Sequence, residues 1–291
     1  MSEHITIDSL KNVVPKVEEH KENLFTELIK HTKNSNEIEL PFLGHIHLPQ
    51  FEPIKIGGIN FDFSISKHIV FMLLAAIILT LVGIIAARKN SKNKVPKGIG
   101  NFMEVFVVFI RDEIVLPNMG KSGLRYLSFI TTTFFFILIM NLLGLLPFGA
   151  SATANVNVTA GLAIIAFFVI QISAIHSQGL VHYLAHLTGG VHWALWPIMI
   201  PIEILGLFTK PFALCIRLFA NMTGGHIVIV ALIGLVFIFK SWFIAPLPVF
   251  FVIGINILEL FVAFLQAYIF VMLTSLFMGL GMQQESHHEK H

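Results

Sequence analysis

From Ile114 to Gln284, more than half of the 291-residue chain, only two acidic residues occur, Glu203 and Glu259, amid long runs of Phe, Leu, Ile and Val. A soluble domain carries about 25% charged residues; this chain carries 12%, with 55% hydrophobic residues and a mean hydropathy of +0.80. Runs of this length belong in lipid, where every backbone N–H and C=O must be satisfied within the structure, so that only helices and closed barrels span. Apolar runs of about 20 residues or more read as membrane-crossing helices. The fold class expected is an all-α, polytopic membrane bundle.

The charges mark its organisation. Residues 1–67 hold most of the acids and read as a polar tail, with Glu18-Glu19-His20-Lys21-Glu22 suggesting a solvated helix and Pro41, Pro49, Pro53 and Gly57-Gly58 breaking regular structure in the rest of the tail. No short apolar segment follows a basic start near Met1, so no cleavable signal peptide is expected. Spans are expected at 68–87, 124–146 and 157–176, and two longer tilted helices at 196–239 and 247–282, ahead of a tail at 285–291. Residues 99–115 place Glu104, Arg111 and Asp112 on one side and Phe and Val on the other, as in an interfacial amphipathic helix. The cluster from Arg88 to Lys97 puts the end of the first span in the cytoplasm. The N-terminus then lies outside, and five crossings leave the C-terminus inside.

Several function classes drop out. Net charge +2 is too slight for nucleic acid, and the single Cys215 allows no intrachain disulfide. His182 and His186 have metal-ligand spacing, with His176 and His192 near, but a Gly-containing polar loop favours solvated imidazoles, and no metal or cofactor is expected. The remaining signal is the polar minority inside the apolar runs. Glu203, Lys210 and Arg217 are seven apart and Asn221 follows four later, one stripe of one helix; Asn256, Glu259 and Gln266 share a face of the last. A guanidinium at the centre of a membrane helix costs about 2.5–3.5 kcal/mol and keeps its proton, so Arg217 demands an offsetting partner. Plainer roles exist for the rest: Glu203 with Lys210 as an ion pair, the amides as interhelical glue, His226 with Glu259 as a packed pair.

Arg217-Leu218-Phe219-Ala220-Asn221-Met222 resembles the Arg-Leu-Phe-(Gly/Ala)-Asn-Met segment of subunit a of bacterial F-type ATP synthases. Asn141-Leu142-Leu143-Gly144-Leu145-Leu146-Pro147, Asn155-Val156-Asn157-Val158-Thr159, Glu203-Ile204-Leu205 with Lys210-Pro211, and Gln266-Ala267-Tyr268-Ile269-Phe270 resemble further family segments in family order. The resemblance implies a non-catalytic stator of the proton channel in a bacterial inner membrane, its last two helices tilted against a rotating ring of c subunits and its neighbours including peripheral-stalk b subunits and lipid. It implies that Arg217 meets the ring carboxylates and blocks leakage between two offset half-channels. Asn221, His226, Glu259 and Gln266 would border the half-channel open to the outside, with Glu203 and Lys210 near the cytoplasmic exit. His226 and Glu259 exchange the acid and histidine that several members carry, and Asn155 stands where the family has aspartate, which leaves its part in ion access open, as it does for the loop histidines. Two other classes fit the composition: a self-contained secondary transporter or channel, and a structural subunit of a respiratory assembly.

Overall fold

The computed structural model describes residues 37–40, 44–47, 54–56, 59–61, 66–92, 98–146, 151–181, 183, 195–239 and 246–283. The expected helix around Glu18, the loop histidines His182, His186 and His192, and the tail 285–291 lie outside these. By chain packing the protein divides into two compact units, one of residues 1–67 with 223–259 and one of 68–222 with 260–291.

The first unit holds a feature the reading as a polar tail misses. Strands β1 (Glu37–Leu40) and β2 (Gly44–His47) pair antiparallel, with Glu37 opposite His47, and β3 (Ile54–Ile56) pairs with β4 (Ile59–Phe61), with Ile54 opposite Phe61. The physical reason lies in the local pattern. Glu37-Ile38-Glu39-Leu40 alternates polar and apolar with the period of a strand, as do Ile54-Lys55-Ile56 and Ile59-Asn60-Phe61.

The remaining described residues are almost all helical. Among the described residues five helices are long and apolar enough to cross a membrane. They are α1 (Lys67–Lys92), α4 (Leu127–Gly144, extended at its start by a 3-10 turn over Lys121–Tyr126), α5 (Val156–Gln178), α6 (Trp196–Phe239) and α7 (Pro246–Gln283). Asn155 opens α5 as its N-cap, its Oδ1 accepting from the Asn157 N–H at 2.9 Å. Two internal prolines, Pro201 and Pro211, leave α6 continuous.

Between α1 and α4 run α2 (Ile99–Phe109), a π-helical turn (Ile110–Val115) and α3 (Leu116–Met119), opened by Gly98 and closed by Gly120, both at positive φ. The expected amphipathic helix at 99–115 is therefore longer and not uniform. Along it Phe102, Val105 and Val108 are exposed, while Ile110, Ile114, Val115 and Met119 enter the core. On the polar side Arg111 donates to both Asp112 oxygens at 2.7 and 3.1 Å, and these bonds hold the exposed Asp112 carboxyl below the usual carboxylate range.

The core of the second unit joins these segments to α4, α5 and the C-terminal half of α7. Phe106, Phe134, Phe135 and Phe264 form an aromatic nest, with Phe134 and Phe135 at 5.3 Å and 79° and Phe134 and Phe264 at 5.7 Å and 86°. Edge-to-face geometry of this kind suits the ring quadrupoles.

Candidate functional site

In the second unit α6 presents Glu203, Lys210, Arg217 and Asn221. Arg217 sits between fully buried Leu214 and Leu218, and its Nη1 is buried without a hydrogen-bond partner. No ion pair to it occurs among the described residues. Four residues on, Asn221 Nδ2 donates to Gln266 Oε1 of α7 at 2.8 Å, and Gln266 is only 2% exposed. The Lys210 ammonium stands 5.0 Å from the Phe277 ring centroid, a cation–π arrangement. Glu203 lies near Tyr183, whose phenol is pushed up by burial and, secondarily, by the Glu203 charge. Tyr183 itself donates to Gln171 Oε1 at 2.6 Å.

In the first unit the later part of α6 meets the early part of α7. His226 Nδ1 stands 3.6 Å from Glu259 Oε1, and Glu259 is 7% exposed. Both Glu259 oxygens, His226 Nδ1 and Thr223 Oγ1 are buried without hydrogen-bond partners. Buried polar groups are normally paired, and this cluster departs from that pattern. Asn256 does not join it: its amide donates back to Val252 O at 2.9 Å on its own exposed helix face.

One polar system in the second unit is absent from the sequence reading. His68 Nδ1 donates to Ser151 O at 2.9 Å, Ser151 Oγ and Thr153 Oγ1 are 2.8 Å apart, Thr153 donates to Asn141 Oδ1 at 2.7 Å, and Asn141 Nδ2 donates to Ala263 O of α7 at 3.3 Å. Asn141, Thr153 and Ser151 are all essentially inaccessible. An amide amid apolar residues at Asn141 was the available signal, because such a group in lipid must find a partner. His176 accepts from Arg125 Nη1 at 3.3 Å.

A family model described as the ATP synthase A chain matches residues 69–279. The chain belongs to that family. The chain is similar to ATP synthase subunit a of Chlorobium phaeobacteroides (strain BS1), 52% identical over 264 residues that cover 89% of this chain and 77% of that protein. It is similar to ATP synthase subunit a of Chloroherpeton thalassium, 50% identical over 262 residues, 89% of this chain and 77% of the relative. To ATP synthase subunit a of Myxococcus xanthus it is 46% identical over 278 residues, 88% of this chain and 92% of the relative. As a member of that family with five helices long and apolar enough to span, the chain is a multi-pass membrane protein, and the match to the family model includes α6, α7 up to Gly279, and the polar residues of both helices from Glu203 to Gln266.

Proposed function

We propose that this chain is the stator half of the proton channel in the membrane sector of a rotary ATP synthase, in which Arg217 separates two offset half-channels. The observation that carries the reading is the state of Arg217. A guanidinium whose Nη1 is buried and unpartnered, in a helix long and apolar enough to span, has no counter-charge among the described residues. A passing carboxylate of a ring of c subunits would supply it. The arginine would favour release of that carboxylate's proton, and because it does not titrate it would stop protons from short-circuiting the two paths. A self-contained transporter would balance Arg217 within its own bundle.

The outer half-channel would be lined by Asn221, His226, Glu259 and Gln266, and the cytoplasmic one by Glu203 and Lys210. The orphaned Glu259 and His226 atoms support the first assignment, since a carboxylate and an imidazole in this state can exchange a proton. The chain itself makes and breaks no covalent bond in this reading. Its partners would be the c ring and the peripheral-stalk b subunits, in a bacterial inner membrane.

Arg217→Ala is expected to abolish ATP-driven proton pumping in inverted membrane vesicles while the complex remains assembled. Coupled pumping retained by that variant would sink the proposal.

A further inference from the structure

We propose that Gly225 is the positioning residue for Glu259: the side chain it lacks leaves the slot in which the carboxylate lies beside His226. The inference rests on the proton-path reading and goes beyond it. A methyl group built on Gly225 would overlap Glu259 Oε1 and lie 2.7 Å from its Cδ and 3.0 Å from its Cγ. On the same two helices Gly206, Gly224 and Gly254 have nothing within 4 Å of an added Cβ. Gly225 alone among these four opens onto a titratable group.

A glycine inside a helix costs about 1 kcal/mol relative to alanine, so its presence in α6 calls for a compensating use. The slot is such a use. Within it Glu259 is buried, and its oxygens make no hydrogen bond that would hold them elsewhere. Its Oε1 stands 3.6 Å from His226 Nδ1, so a closure of about 0.5 Å would bring the two within hydrogen-bond reach. The volume left by Gly225 sets that separation, because any side chain there drives the carboxylate out.

The clash falls on the far end of a flexible side chain rather than on backbone. Gly225→Ala should therefore assemble normally, with helix propensity in its favour, and shift only the carboxylate. A misplacement of about 1 Å can cost 100-fold in a transfer step. Passive proton flow through membrane sectors stripped of the catalytic head is measured for four variants.

Gly225→Ala should lower the flow at least about tenfold, toward the level of Glu259→Gln. Glu259→Asp, whose shorter side chain withdraws from the slot, should lower it as well, and adding Gly225→Ala to Glu259→Asp should cost little more. Non-additivity of this kind marks one shared interaction, whereas a packing role gives independent losses and less assembled subunit. If Gly225→Ala fails to accumulate, Glu259→Asp alone decides, since wild-type flow from it overturns the slot. Flow retained in Gly225→Ala but lost in Glu259→Gln overturns the positioning role. Flow retained in Glu259→Gln overturns the proton-path reading beneath it.

Discussion

At the residue scale the interhelical bond from Asn221 to Gln266 offers a separation of roles. Gln266→Leu removes the acceptor at 2.8 Å and leaves a buried apolar side chain of similar size. Side-chain hydrogen bonds between membrane helices average about 0.6 kcal/mol and reach about 1.7 kcal/mol, so the thermal stability of the purified complex should fall only slightly. Proton flow should fall far more if the amide borders the path, and unchanged flow would reduce Gln266 to glue. Sequence reasoning reached this pair, Arg217 and the His226–Glu259 couple because a charge or amide stands out against Phe, Leu and Ile. It missed Thr153, Ser151 and Gly225 for a physical reason. A hydroxyl in a connecting segment reads as solvated until its partner is seen, and a glycine carries no chemistry until something is seen to occupy its space.

At the scale of elements the π-helical turn explains how the segment after α2 both faces outward and enters the core. Ile110, Ile114, Val115 and Met119 are buried at successive offsets of four, one and four, wider than a regular α-helical stripe. Asn118 Nδ2 and Ser275 Oγ both donate to Ile114 O, at 2.7 and 3.2 Å, occupying a carbonyl at the end of the turn. None of this is legible in Ile110-Arg111-Asp112-Glu113-Ile114-Val115, whose charges read equally well on an α-helix; α7 packing on the segment selects the wider turn. The contact is closest at Gly279, where an added Cβ would overlap Asn118 O and lie 2.8 Å from its carbonyl carbon. Backbone cannot move aside as Glu259 can. Gly279→Ala should thus destabilise by about 1–3 kcal/mol through overpacking, read as a lower unfolding temperature and less subunit in membranes. Parental stability would show that this helix contact yields freely.

At the scale of the whole molecule, length sets the constraint. Helices of 44 and 38 residues extend about 66 and 57 Å at 1.5 Å per residue, against a hydrocarbon core of about 30 Å. Hydropathy made those lengths and the five spans readable, since a lipid environment forces a helix wherever a long apolar run occurs. The hairpins before α1 were less readable, because strands of three or four residues leave too short a pattern to weigh against the prolines between them. By the positive-inside rule the Arg88–Lys97 cluster would lie in the cytoplasm, and in the proposed function that sidedness would decide which half-channel opens where. Cys215 is the sole cysteine and is buried, so it leaves little background for labelling of introduced thiols. A membrane-impermeant maleimide should label Ser9→Cys from the outer face in spheroplasts and Lys94→Cys only in inverted vesicles. The opposite pattern would reverse the sidedness and with it the sides on which the proposed inlet and outlet open.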